Sequence, residues 1–153
     1  MKRAVSLFLS AVVFALSARA EVSPSKIYVV ANSDDPDSLA IADFYASARE
    51  IPKEKIIGLP MPKAGKISKA EYFEKIENPL VAELAKRGAL KAVKLGGREP
   101  FGREIYSYIS HDIGFLVLCR GVPWGVNPSP KSPAPNPPKS FSDAASVDSE
   151  LSG

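Results

Sequence analysis

The chain has 153 residues, 45% hydrophobic and 24% charged, with 20 Lys and Arg against 17 Asp and Glu. Lys2, Arg3 and Arg19 all fall within the first twenty residues, so the remainder balances at 17 against 17. A neutral domain of that kind offers no electrostatic footprint for nucleic acid or an anionic membrane surface.

The first twenty residues read as a secretory signal peptide. Lys2 and Arg3 form a basic start, Ala4 to Ala15 an apolar run, and Ala18-Arg19-Ala20 the small-x-small cleavage site. The mature chain then begins at Glu21 and works in the periplasm or outside the cell. The apolar run is short of the about 20 residues that a membrane anchor needs. No later run approaches that length, so no stable span is expected after cleavage.

Ile27 to Val30 is a short β-rich apolar run and reads as a buried strand. Asp35 and Pro36 then predict a helix start, with Asp35 as cap, Pro36 at the first position and Asp37 in the first turn. Ile41, Tyr45 and Ala48 form one apolar stripe, and Leu39, Ala42 and Ala46 a neighbouring one. The helix is expected to end near Glu50, because Pro52 disfavours helix at Ile51. Lys55 to Leu59 reads as a second strand. Strand, helix and strand in this order form a βαβ unit with a parallel crossover.

Ser68-Lys69-Ala70-Glu71 is a capping box, and Pro79 is expected to kink or divide the helix that follows. Gly88 and Gly96-Gly97 read as breaks, and Glu104 to Ser110 as a short helix. Ile113 to Cys119 is nearly unbroken apolar sequence, as in the centre of a parallel sheet. Residues 123–138 hold seven prolines, which suit neither helix nor sheet centre. Ser142 to Leu151 looks like a helix beginning.

The expected fold is therefore α/β, with a parallel sheet of at least three strands built from βαβ units. It reads as an incomplete doubly wound domain of caspase-like or flavodoxin-like type. The domain organisation is a signal peptide over 1–20, an α/β domain over 21–127, a Pro-rich loop or linker over 128–140, and the start of a further helix over 141–153. The chain looks truncated.

Ligands of open parallel sheets bind beyond the carboxyl ends of the strands. Asn32, Asp34, Arg120 and Trp124 fall there and form a candidate cleft, with Asp148 and Glu150 as later additions. Asp34, Asp35 and Asp37 could hold a hard cation, but lack the calcium-loop spacing and read as a helix cap plus solvated turn, with capping explaining Asp35 and Asp37. Arg120 can fix a carboxylate or form an ion pair with a nearby acid. Trp124 can line the cleft or pack on the core, and core packing is the expectation.

Cys119 and His111 are the only residues of their types. Placed near opposite ends of one strand, they would lie about 26 Å apart, far beyond the reach of a nucleophile and its base. Cys119 is expected to be an inert core thiol. One histidine excludes a multi-His zinc site within the chain, and no phosphate loop, dinucleotide fingerprint or nucleophile elbow is present. No cofactor or metal is expected.

Several segments also occur in a telling order. They are Pro36-Asp37-Ser38-Leu39-Ala40-Ile41-Ala42-Asp43-Phe44-Tyr45 with Arg49-Glu50-Ile51-Pro52 and Ile56-Ile57-Gly58-Leu59, then Ile67-Ser68-Lys69-Ala70-Glu71-Tyr72, then Phe115-Leu116-Val117-Leu118 into Gly121-Val122-Pro123, and last Ala145-Ser146-Val147-Asp148-Ser149-Glu150-Leu151. Together they resemble an uncharacterised family of secreted bacterial proteins from species that carry exosortase, the PEP-CTERM protein-sorting system. Members of that family continue well past Asp-Ser-Glu-Leu, so the chain resembles their N-terminal part. The resemblance implies an association with export and surface sorting and assigns no catalytic residue. The expected function is a non-catalytic envelope or surface module with a protein or glycan partner.

A looser similarity leads elsewhere. The opening strand–helix–strand is similar to the start of caspase-like and gingipain-like cysteine peptidases, whose His and Cys follow later strands. Here Gly121-Val122-Pro123-Trp124 stands where a His-Gly would be sought. The alternative function is the N-terminal part of such a peptidase, or of another hydrolase, with its catalytic residues beyond Gly153.

Overall fold

The computed structural model describes residues 23–127, 145–147 and 151. The expected signal peptide and the Pro-rich segment from residue 128 onward lie outside the described residues. The strands, in chain order, are β1 (Ile27–Asn32), β2 (Ile56–Leu59), β3 (Lys66–Ile67), β4 (Leu90–Arg98), β5 (Glu104–His111), β6 (Phe115–Leu118), β7 (Gly125–Val126) and β8 (Ala145–Ser146). The helices are α1 (Pro36–Ala48), α2 (Lys69–Tyr72) and α3 (Asn78–Lys86), with a π-helical turn (Phe73–Glu77) joining the last two.

β1 is the central strand of a parallel three-strand sheet in the order β2-β1-β6. Val29 lies opposite Ile56, and Ile27 opposite Phe115. A strand that is apolar on both sides needs cover on both. On one face Val29, Ala31 and Cys119 pack with Ala42, Ala46 and Ile51. On the other, Tyr28, Val30 and Ile57 pack with Tyr72, Ile76, Leu80 and Leu84. The α/β reading and its parallel three-strand sheet are therefore present.

α1 starts as its sequence dictates. The Asp35 carboxylate accepts the Asp37 N–H at 3.2 Å, and Pro36 occupies the first turn. Its inner face is Ser38, Ala42 and Ala46, small residues that let the backbone lie close on the sheet. Ile41 is thus outside the buried stripe, and Phe44 is 76% exposed. The helix closes at Ala48, two residues early. Glu50 turns left-handed at φ 55, and the Ile51 N–H returns to the Ala46 carbonyl at 2.8 Å.

The capping box at α2 is complete. Ser68 Oγ accepts the Glu71 N–H, and Glu71 Oε2 accepts the Ser68 N–H at 2.9 Å and its hydroxyl at 2.7 Å. Pro79 divides the helix as expected. The wide π-helical turn precedes it, so Pro79 sits in the first turn of α3, where a missing N–H costs little.

Three carboxylates respond to such contacts. Hydrogen bonds from Ser68 hold the Glu71 carboxyl below the ordinary range, Arg87 and Lys86 do so for Glu83, and Lys94 and Tyr106 for Glu104. A carboxyl depressed in the folded state leaves the unfolded chain binding more protons as pH falls. Its stabilisation is present above the ordinary value of 4.5 and is lost below it. Urea midpoints are therefore expected to fall as pH drops through 4.5, and Glu71→Gln should flatten part of that slope. A midpoint that rose on acidification would overturn this account.

The region between α3 and β6 differs from expectation. Glu104 to Ser110 is no helix; it is most of β5, paired antiparallel with β4. Ile105, Ser107 and Ile109 alternate with Tyr106 and Tyr108, a period of two in β-branched and aromatic residues that belongs to a strand. Gly96 and Gly97, at φ 80 and 76, shift the register of the hairpin without ending it. Its tip is pinned to the helices. Arg103 Nε donates to the nearly buried Glu77 carboxylate at 2.6 Å, and Asn78 exchanges bonds with the Gly102 carbonyl and the Glu104 N–H.

β7 pairs in parallel with β3 and antiparallel with β8. Ala145 and Ser146 were expected in a helix; backbone pairing with β7 makes them a strand, and helical backbone begins at Val147. Val147 is buried in the same cluster as Tyr72 and Ile76, and Leu151 packs against it.

Candidate functional site at the carboxyl end of the parallel sheet

Asn32 ends β1 and is fully buried. Its side chain uses both of its donors and both of its acceptors. Nδ2 donates to the Met61 carbonyl at 3.0 Å and to the Gly121 carbonyl at 2.9 Å. Oδ1 accepts the Asp34 N–H at 3.0 Å and the Met61 N–H at 3.1 Å. The backbone N–H of Asn32 donates to Ser38 Oγ at 3.0 Å. One residue thus ties together the segments leaving β1, β2 and β6, and retains no amide group to offer a ligand.

The segment after β6 closes the same space. The Val122 N–H returns to the Cys119 carbonyl at 3.2 Å, a β-turn whose third residue, Gly121, stands at φ 95. A Cβ there would lie 2.7 Å from Asp35 Oδ2 and 2.9 Å from Ser38 Cβ. The turn therefore rests directly on the start of α1. That helix end already carries its own carboxylates, Asp35 as cap and Asp37 in the first turn, so it does not favour an incoming anion.

Among the described residues, the other expected cleft residues do not converge on Asn32. Asp34 is exposed and touches Asn32 only through its backbone. Arg120 is exposed, and the ion pair expected for it is not formed among the described residues. Asp35, not Asp34, approaches the β6 turn, because capping fixes its rotamer. Trp124 is 64% exposed, which corrects the expectation of core packing. Its backbone N–H donates to the Gly65 carbonyl at 3.0 Å, its indole lies so close that a Cβ at Gly65 would meet Nε1 at 2.5 Å, and Lys66 Nζ sits 4.9 Å from the ring centre. Backbone pairing beside β3 and a cation–π contact hold it, rather than the hydrophobic core. Asp148 and Glu150 lie outside the described residues.

Cys119 directly follows β6 and His111 ends β5, so they do not share one strand. Cys119 is 8% exposed in the cluster under α1, and burial pushes its thiol up. His111 ends β5 on the opposite side of the sheet, is exposed, and its Nδ1 accepts the Ile113 N–H at 3.4 Å. They form no dyad.

A second concavity was not foreseen. An open, mainly apolar groove of about 410 Å³ runs between α3, β5 and β6, lined by Leu80, Leu84, Tyr108, Ile109, Leu116 and Leu151. The alternation in β5 is the signal that could have revealed it. Burial pushes the Tyr108 phenol up, and burial with the Glu104 carboxylate pushes Tyr106 up to about 12. Both rings therefore stay neutral, and neither is an activated base. Among the described residues no helix is long and apolar enough to cross a membrane. Comparison with protein-family models, with curated proteins and with solved structures found no match to this chain.

Proposed function

We propose that this chain is a non-catalytic module of the bacterial envelope or surface, exported and associated with the exosortase sorting system. In this reading it acts by holding a protein or glycan partner. One observation carries the non-catalytic part. The carboxyl end of the sheet, where an α/β enzyme would present its reacting groups, is filled by the Asn32 side chain bonded to Met61 and Gly121. The ordered segments quoted from residue 36 to 151 support the link to export and sorting.

The alternative is the N-terminal part of a caspase-like or gingipain-like peptidase, or of another hydrolase, on a doubly wound fold. The β1–α1–β2 unit and a sheet covered on both faces favour it. Cys119 tests the non-catalytic reading from one side, because a reactive thiol there would favour an enzyme. In the non-catalytic module its buried, protonated thiol resists an aromatic disulfide reagent at neutral pH and reacts only once the chain is unfolded in guanidinium. Reaction in the folded protein at or above the rate of a free thiol would overturn the non-catalytic reading.

A further inference from the structure

We infer that the pocket between α2, α3 and the tip of the β4–β5 hairpin binds a sugar that carries a carboxylate, a uronic acid of a polysaccharide. The inference rests on the proposed partner-holding role and names its glycan. The pocket is open, has a volume of about 640 Å³, and includes Asn78, Lys94, Arg98, Phe101, Glu104 and Tyr106 in its lining. Unlike the apolar groove beside β6, it brings aromatic rings together with charged groups.

Phe101 is the first observation. It is a bulky residue in the left-handed region, at φ 66 and ψ 9, where a side chain is strained. Burial does not offset that cost, because Phe101 stays 42% exposed in the pocket lining. Neighbouring bonds hold it there. The Gly102 N–H donates to the Glu99 carbonyl at 3.0 Å, the Glu99 N–H to the Arg103 carbonyl at 2.8 Å, and Asn78 Nδ2 to the Gly102 carbonyl at 3.0 Å. Strain fixed in this way at a pocket serves to present a side chain rather than to pack it.

Charge is the second. The Glu104 carboxylate accepts Lys94 Nζ at 2.7 Å and the Tyr106 hydroxyl at 2.7 Å. Arg98 approaches the same carboxylate only to 3.6 Å, and its side chain is 67% exposed. Two cations thus share one carboxylate, and Arg98 keeps donors of its planar fork for a ligand. Glu74, the other acid of the lining, is paired with Lys75 at 2.9 Å. An anion is therefore favoured, and a carboxylate matches the fork in bidentate form. The two observations together select the ligand. A bare anion would leave the Phe101 ring unused, and an apolar molecule would strip water from Lys94, Arg98 and Glu104 without bonding to them. A sugar acid answers both. Its C–H face lies on the negative face of the ring, its carboxylate on Arg98, and its hydroxyls bond to Lys94 and Glu104.

Titration calorimetry of the whole chain, expressed in an exporting host, tests this with trigalacturonate and with maltotriose as the neutral sugar. Trigalacturonate is expected to bind, and maltotriose to bind about tenfold more weakly or less. Arg98→Gln should remove that preference. Phe101→Gly takes away the ring and supplies a residue that adopts a positive φ without strain, so it should fold and yet lose binding of both sugars. Circular dichroism checks both variants. Acetate or phosphate that displaced trigalacturonate at equal concentration would reveal an anion site and overturn the sugar. Binding that both variants leave unchanged would also overturn the site, while the glycan-holding role stood with its contacts elsewhere. No binding of trigalacturonate would overturn it too, and a module with a protein partner would still be judged by the reactivity of Cys119. Binding followed by shortening of the oligosaccharide would uphold the site and overturn the non-catalytic reading.

Discussion

Asn32→Ala is expected to lower the stability of the domain by about 4 kcal/mol, enough to unfold a marginal protein outright. The truncation removes four side-chain hydrogen bonds at a residue with no exposed surface. It leaves the Met61 N–H and the Met61 and Gly121 carbonyls facing a cavity too small for several waters. Unsatisfied buried groups, rather than lost apolar area, dominate this cost. Asn32→Asp separates the donors from the shape. It keeps both acceptors, loses both donors and buries a carboxylate, so it should be less stable at neutral pH than in mild acid, opposite in slope to the parent. Urea denaturation at two pH values measures both variants. A loss under about 1 kcal/mol for Asn32→Ala would mean that the three segments meet there without depending on it.

Gly121→Ala is the second large effect, expected at about 3 kcal/mol. Two costs add at this position. The residue sits at φ 95, where an L side chain is strained, and the new Cβ would stand 2.9 Å from Ser38 Cβ and 2.7 Å from Asp35 Oδ2. Ser38 cannot retreat, because it is buried in α1 and accepts the Asn32 N–H. Gly88→Ala is the control. Gly88 also has a positive φ, at 71, but nothing lies within 4 Å of its added Cβ, so it carries the backbone cost alone, about 1 kcal/mol. Equal losses at the two glycines would show that the contact with α1 contributes nothing.

The β1–α1–β2 unit was readable because its signals are local. A β-rich run, a capping Asp before Pro36, and Pro52 after the helix each act over a few residues. The capping box and the division at Pro79 are equally short-range. The β4–β5 hairpin was missed where two signals conflicted. Gly96 and Gly97 resemble an ending, while the alternation from Ile105 to Ile109 needed a partner strand to show its meaning. The candidate cleft fared unevenly for the same reason. Asn32 lies at the strand end as expected, but its bonds reach 29 residues to Met61 and 89 to Gly121. Nothing near Asn32 in the sequence announces partners that distant. Trp124 looked like a core residue on size alone, and its exposure follows from pairing beside β3, a strand of only two residues.

The span of those Asn32 bonds also bears on assembly. β1 and β2 can meet once Met61 has been made, since their register closes a short loop through α1. Asn32 still has one donor facing nothing until the Gly121 carbonyl arrives, 89 residues along the chain. A chain that stops short of Gly121 lacks the acceptor for that second donor. Docking of the turn after β6 on the start of α1 is a long-range closure, and closure of that kind is slow relative to forming either helix.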